Sequence, residues 1–69
     1  MKLYFENSNG RRRVIAEPKT EEDAFKEIAK FCENCNFKIY YTRIWMTPEG
    51  EKVYDVGSHT EFFYLNYEN

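Results

Sequence analysis

Aromatic residues are unusually abundant in this chain for its length. Six Phe, six Tyr and one Trp occur among 69 residues, and most of them lie in the C-terminal half. The same half alternates in a way that predicts β-strands. One short helix covers only one face of a small sheet. We therefore expect part of the aromatic surface to remain available for a partner or for a second copy of the chain.

Length and composition predict one small folded domain that spans residues 1–69. A chain of this size buries only about 60% of the surface that its unfolded form exposes, which leaves little room for a deep substrate cleft. The hydrophobic fraction of 42% and the charged fraction of 32% are typical of a folded domain. The net charge of −2 is opposite in sign to that of a dedicated nucleic-acid binder.

The spacing of apolar residues predicts five strands and one helix. Alternation with a period of two predicts strands at 2–6, 11–17, 37–46, 52–56 and 61–67. An apolar stripe predicts a helix from Glu21 to Glu33 or Asn34, with Thr20 as its N-cap and Asn34 or Asn36 as its left-handed stop.

Turns that contain glycine separate neighbouring strands. The pair Asn9-Gly10 predicts a first hairpin, because both residues tolerate positive φ. The segment 47–50 (TPEG) predicts a type I turn with a bulge, and a further turn follows at 57–60. Hairpins imply antiparallel pairing. We therefore expect an α+β fold, in which a ββαβββ antiparallel sheet carries one helix on one face.

Strand alternation also predicts which side chains form an exposed aromatic face. We expect this face to be built from Tyr40, Ile44, Tyr54 and Tyr64, with Arg43 or Asp55 adding charge specificity at its rim. A bulge of one residue would exchange the two faces. The predicted partner-binding residues are Tyr40, Arg43, Ile44, Tyr54, Asp55 and Tyr64.

The cysteines form the motif Cys32-Glu33-Asn34-Cys35 near the end of the predicted helix. A structural zinc site needs four ligands, and a redox pair favours the N-terminus of a helix. Both cysteines fall on the apolar stripe, so the sequence predicts buried thiols. The sequence leaves open a metal ion that two copies of the chain share through Cys32 and Cys35.

Asp55, Ser58 and His59 have the three residue types of a hydrolase catalytic triad, and they lie close together in the sequence. No nucleophile elbow surrounds the serine, and nothing marks an oxyanion hole. Local hydrogen bonding within the turn explains Ser58 more simply. We therefore expect a protein that is not an enzyme and that uses no cofactor.

The run Arg11-Arg12-Arg13 supports two readings. Three arginines at the start of a strand can bind phosphate groups or an acidic partner. Together with Ser58 and His59 in the 57–60 turn, they define an alternative site for nucleic acid or a nucleotide phosphate. The other reading is an edge strand that charge protects from unwanted pairing.

No apolar run approaches the roughly 18 residues that predict a membrane-spanning helix. The segment 1–7 (MKLYFEN) also lacks the apolar core of a signal peptide. The sequence therefore predicts a cytoplasmic protein without membrane partners.

The segments 55–64 (DVGSHTEFFY), 40–45 (YYTRIW) and 1–7 carry a resemblance to a known group of proteins. In these segments the chain resembles small uncharacterised accessory proteins of phages and prophages of low-GC Gram-positive bacteria. The resemblance implies a protein that binds and modulates a host protein inside the bacterial cell. A counter-defence inhibitor, comparable to those that act on CRISPR nucleases, is the most concrete version of this expectation.

The leading hypothesis is therefore a non-enzymatic accessory protein that binds a host protein through an aromatic surface. One alternative is the nucleic-acid or phosphate-binding module that uses the arginine run. A further alternative is a structural module that closes its aromatic face in a homodimer. The sequence does not separate the first hypothesis from the last.

Overall fold

The computed structural model describes residues 1–58 and 60–67. Its elements follow one another as β1 (Lys2–Glu6), β2 (Arg12–Ala16), α1 (Glu21–Asn34), β3 (Arg43–Met46), β4 (Lys52–Asp55) and β5 (Phe62–Asn66). All strand pairings in these residues are antiparallel, and the described part of the chain forms one helix and one sheet. The predicted α+β fold with the order ββαβββ is confirmed.

The strand order across the sheet is β2-β1-β5-β4-β3. Two local hairpins, β1–β2 and β3–β4, lie on either side of β5, which pairs with one strand of each. The register places Leu3 opposite Leu65 and Phe5 opposite Phe63. The edges of the sheet are therefore β2 on one side and β3 on the other.

Local signals set both ends of α1. Thr20 is the N-cap, and its hydroxyl accepts a hydrogen bond from the Asp23 N–H at 3.0 Å. Beyond the helix, Asn36 adopts a φ of 55°, and the Phe37 N–H donates to the Cys32 carbonyl at 2.7 Å. Together with the bond from the Asn36 N–H to the Glu33 carbonyl, this forms a Schellman ending. The predicted cap and left-handed stop are confirmed.

The core lies between α1 and the face of the sheet on which the helix packs, called the helix face below. The buried helix residues are Ala24, Ile28 and Cys32. They share one cluster with the buried strand residues Leu3, Tyr54, Phe63 and Leu65 and with Val56, which directly follows β4. Around this cluster the rings of Phe5, Phe31 and Phe63 pack with centroids between 4.7 and 5.7 Å apart. Much of the phenylalanine content therefore stabilises the fold itself.

The two hairpin turns share one hydrogen-bond pattern. Asn7 and Thr47 each donate their N–H to the carbonyl four residues later, at 2.9 and 2.8 Å. In each turn the side-chain oxygen of the same residue accepts the N–H of that later residue. Gly10 and Gly50 adopt positive φ, as a type I turn with a bulge requires. The bulged turn at 47–50 is confirmed, whereas in the first hairpin only Gly10 of the Asn9-Gly10 pair takes positive φ.

Two expectations about the middle of the chain are wrong. The strand predicted over 37–46 begins only at Arg43, because Phe37 completes the helix ending and packs, with Ile39, against the core. Cys35 is exposed rather than buried, because α1 ends at Asn34 and the apolar stripe ends with it. In the part of the chain that the structure describes, no helix is long and apolar enough to cross a membrane.

Candidate protein-interaction edge

Exposed apolar side chains are concentrated in β3 and in the residues just before it. Eight large apolar side chains are exposed in the described residues, and five of them lie between residues 40 and 46. We call these five the β3 edge surface: Tyr40 (68% exposed), Tyr41 (47%), Ile44 (49%), Trp45 (44%) and Met46 (54%). Large exposed apolar patches mark interaction sites, and Tyr and Trp are enriched in the residues that carry binding energy.

Among the described residues, 1–58 and 60–67, β3 pairs with a strand on one side only, which is β4. The Thr47 N–H donates to the Glu51 carbonyl at 2.8 Å and the Thr47 carbonyl accepts the Gly50 N–H at 2.9 Å, so both backbone groups of Thr47 face the β4 side of the hairpin. In an antiparallel ladder the facing of the backbone groups alternates along the strand, which points the backbone of Trp45 inward and that of Ile44 and Met46 outward. The N–H and C=O groups of Ile44 and Met46 therefore face the edge of the sheet.

Apolar side chains stand on both faces of this strand. Ile44 pairs with Tyr54 and therefore lies on the helix face, as does Met46, but both remain exposed beyond the cover of α1. Trp45 lies on the opposite face, called the open face, where its ring packs edge-on against that of Phe62 at 6.5 Å. A partner strand placed along β3 would thus contact apolar groups on both sides.

The two edges of the sheet differ in how they resist strand pairing. β2 carries Arg12 and Arg13, and its register shifts between Leu3 and Tyr4, which leaves a bulge at Ile15. Charges and bulges are the usual protection of an edge strand. β3 has regular register, and after Arg43 at its first position the run Ile44-Trp45-Met46 holds no charge. The arginine run therefore fits the interpretation that charge protects β2 from unwanted strand pairing, whereas β3 lacks such protection over residues 44–46.

Tyr40 and Tyr41 are held against the turn between β4 and β5. Gly57 has a φ of 96°, and a Cβ at this position would lie 2.8 Å from the Tyr40 Cβ. The Tyr40 N–H also donates to the Val56 carbonyl at 3.1 Å. The Cζ of Arg43 lies 5.5 Å from the centre of the Tyr41 ring, and Lys38 lies similarly over Tyr40. Glycine at position 57 therefore allows the close approach that fixes both rings.

Arg43 and Asp55 form an ion pair across β3 and β4. Arg43 Nη2 lies 2.9 Å from Asp55 Oδ2, and the other carboxylate oxygen accepts the Gly57 N–H at 3.0 Å. The hydrogen bond to Asp55 raises the pKa of the Arg43 guanidinium, and the nearby Tyr41 adds to this shift. The Arg43 side chain is exposed, but that of Asp55 is buried. Asp55 therefore orients Arg43, and its predicted place at an exposed rim is wrong.

The predicted aromatic face does not exist as a single surface. Ile44 and Tyr54 share the helix face, but Tyr54 lies under α1 and is only 1% exposed. Tyr64 pairs with Val53 and Tyr4, which places it on the open face. Register explains the error, because the pairing of β4 with β5 sets which tyrosine faces the helix. The structure brings Tyr40, Arg43 and Ile44 to one edge and separates Tyr54 and Tyr64 from them.

Sequence reasoning also missed Tyr41, Trp45 and Met46. A signal was present, since three consecutive large apolar residues break the alternation of a strand that has one wet face. Such a run indicates a strand that is either buried on both faces or available to a partner. The structure places it at an edge, which decides between the two.

Arg12 contacts side chains from several strands on the open face. Its Cζ lies 3.7 Å from the centre of the Tyr64 ring, its Nε lies 3.2 Å from a Glu6 oxygen, and its Nη1 lies 3.1 Å from a Glu51 oxygen. Burial lowers the pKa of this guanidinium, but the hydrogen bonds to Glu6 and Glu51 outweigh that effect and raise it. This Arg12 clamp links β2, β1 and β5 to the residue before β4, and it leaves Tyr64 half-buried.

The alternative phosphate site is not assembled among the described residues. Arg12 is engaged by two carboxylates, and Arg13 lies on the helix face with its Cζ 5.7 Å from the centre of the Phe31 ring. In the 57–60 turn the Ser58 hydroxyl donates to the Glu61 carboxylate, an acidic group that disfavours an anion. Arg11 is exposed, and His59 lies outside the described residues.

The cysteines provide no metal site within the described residues. Cys32 is buried in the core, and burial raises the pKa of its thiol, with Cys35 as a second cause. No group of three or more His, Cys, Asp or Glu residues in the described part of the chain is arranged to hold a metal ion.

Comparison of the chain with protein-family models, with curated proteins and with solved structures finds no match in any of the three. What the fold presents to another molecule is one unprotected sheet edge that carries apolar side chains on both faces.

Proposed function

We propose that this chain is a non-enzymatic protein-binding module that adds an extended segment of another protein to its sheet along β3. The observation that carries the proposal is the concentration of exposed apolar side chains on an unprotected edge strand. Addition of a strand to a sheet edge is a recurring mode of peptide recognition. In this mode the backbone supplies hydrogen bonds and alternate side chains supply specificity.

Each part of the edge has a role in this mode. The backbone groups of Ile44 and Met46 pair with the added strand, and their side chains contact it on the helix face. Trp45 contacts it on the open face, where a large aromatic ring provides a binding anchor. Lys38 and Arg43 are exposed beside Tyr40 and Tyr41, so acidic residues of the partner are favoured at that end of the strand.

The partner that we propose is a protein of the bacterial host. Its class follows from the resemblance to phage accessory proteins, which implies binding and modulation of a host protein in the cytoplasm. A defence protein is the most concrete candidate. Steric occlusion by a bound module of this size is sufficient for inhibition, and it requires no catalytic group in this chain.

The test compares two variants that carry the same substitution on opposite edges. Ile44→Lys places a charge on β3, and Val14→Lys places one on β2, at a position of similar exposure. Tagged wild-type protein and both variants are used to capture proteins from a nuclease-treated lysate of a Gram-positive host. The captured protein is then purified, and its affinity for each form is measured by calorimetry.

We expect Ile44→Lys to weaken binding of the purified partner at least tenfold, a loss of more than about 1.4 kcal/mol. Val14→Lys should bind like the wild type. Hydrogen exchange should show new protection of the Ile44 and Met46 amides in the complex. Equal loss in both variants, or an unchanged affinity in Ile44→Lys, would exclude β3 as the binding edge. A protein that is captured from an untreated lysate but not from the nuclease-treated one would favour the nucleic-acid alternative.

A further inference from the structure

The β3 edge has the geometry to pair with itself. We propose that the free chain forms a homodimer in which β3 pairs antiparallel with β3 of a second copy across a two-fold axis at Trp45. The inference rests on the proposed function, because it names an occupant of the same edge before a host partner displaces it.

Backbone register selects the pairing. The outward-facing residues of β3 are Ile44 and Met46, which are separated by one residue. A two-fold axis at Trp45 places Ile44 opposite Met46 of the second copy, and Met46 opposite its Ile44. Each of these is then a pair that exchanges two hydrogen bonds, so both outward-facing residues are satisfied in both copies. An axis at Ile44 instead leaves Met46 opposite Thr42, which lies before the strand begins.

Side chains match on both faces in this register. On the helix face, Ile44 of each copy contacts Met46 of the other copy. Both side chains are about half exposed in the single chain. On the open face, Trp45 meets Trp45 of the second copy as a pair that exchanges no hydrogen bonds. Side chains approach most closely in such pairs, and aromatic cross-strand pairs stabilise sheets.

Charges at the two ends of β3 are complementary under an antiparallel arrangement. Lys38 and Arg43 are exposed near the start of the strand, and Glu49 is exposed in the turn after its end. The two-fold axis brings Glu49 of one copy toward Tyr41 and Arg43 of the other, so the same attraction occurs twice. A parallel arrangement would place like charges together at each end, which disfavours it.

Pairing of this kind also removes the unprotected edge. A continuous sheet would run through both copies, and each of its outer edges would be a β2 strand. Both outer edges would then carry the arginines and the bulge that resist further addition. The assembly is therefore closed, and a symmetric dimer is its end point.

Two double variants at exposed positions test the register. Ile44→Lys with Met46→Glu places a lysine opposite a glutamate twice across the axis, whereas Ile44→Lys with Met46→Lys places lysine opposite lysine twice. Sedimentation equilibrium of the full chain over a range of concentrations measures each dissociation constant. Circular dichroism verifies that each variant is folded, and hydrogen exchange of the wild type at two concentrations reports protection of the Ile44 and Met46 amides.

We expect the wild type to dimerise with concentration-dependent protection of those two amides. The lysine–glutamate variant should dimerise at least about tenfold more tightly than the lysine–lysine variant, and high salt should reduce that difference. Wild type that remains monomeric at all concentrations would overturn the dimer. Equal constants for the two variants would overturn the register. Neither result affects the proposed function, which is tested separately by the affinity of the purified partner for Ile44→Lys and Val14→Lys.

Discussion

Replacement of Gly57 by alanine tests how firmly the β4–β5 turn holds the start of the β3 edge surface. Gly57 has a φ of 96°, and its added Cβ would lie 2.8 Å from the Tyr40 Cβ and 3.4 Å from the Tyr41 Cε2. Gly50 is the matched control, because its φ is 89° and nothing lies within 4 Å of its added Cβ. Both substitutions place a side chain in the left-handed region, which costs about 1–2 kcal/mol.

Only Gly57→Ala adds a steric term. The Tyr40 Cβ has little freedom to move, because the Tyr40 N–H is bound to the Val56 carbonyl. Overpacking of this kind costs about 1–3 kcal/mol. We therefore expect Gly57→Ala to lower the free energy of unfolding by about 2 kcal/mol more than Gly50→Ala does.

Urea denaturation followed by circular dichroism measures both free energies, provided that the dependence on urea is the same for all three proteins. A difference below about 0.5 kcal/mol between the two variants would refute the reasoning, since that is the scatter of ordinary surface substitutions. It would mean that the segment carrying Tyr40 and Tyr41 moves aside at little cost. The two rings would then not be fixed parts of the β3 edge surface.

The remaining predictions concern the Arg12 clamp and the titratable groups of the core. Arg12→Ala should lower the free energy of unfolding by about 1–2 kcal/mol, the sum of one ring contact and two partly exposed ion pairs, whereas Arg13→Ala, which removes only the longer ring contact with Phe31, should cost about 0.5 kcal/mol. High salt should shrink only the ionic part of the Arg12 effect, and urea titrations of both variants check this. In the native protein Cys35 should react rapidly with a thiol reagent, and Cys32 only after denaturation, because burial raises the pKa of the Cys32 thiol and blocks access. Burial also raises the pKa of Tyr54, so the unfolded chain loses this proton first and stability should fall as the pH rises above about 10, less steeply in Tyr54→Phe.

The parts of the fold that depend on local chemistry could be predicted from the sequence. Thr20 caps the helix through an N–H three residues away, and Asn36 ends it through bonds that span one turn. The bulged turn at Gly50 depends on contacts within five residues. Propensity and spacing carry this information, so element order and fold class follow from them.

The candidate site could be predicted only in part, because it depends on pairing between distant residues. Whether Tyr54 or Val53 faces the helix is set by the register of β4 against β5, which alternation within one strand does not fix. The exposure of Ile44 and Met46 follows from their place at the far edge of the sheet, which α1 does not cover. The chemistry of Tyr40, Arg43 and Ile44 marks them as binding residues in the sequence, but their common position at one edge follows only from the pairing of the strands.

The position of β5 also has a consequence for the order of folding. The β1–β2 and β3–β4 hairpins each close a short loop, so each can form early on its own. Neither hairpin pairs with the other, and among the described strands β5 is the one that pairs with both. Until β5 is in place, Leu3 and Tyr54 lack the strand that lies between them, and both hairpins present an open side where β5 belongs. We expect insertion of β5 to be the slow step, with mutations at Phe63 or Leu65 slowing folding more than mutations in either turn.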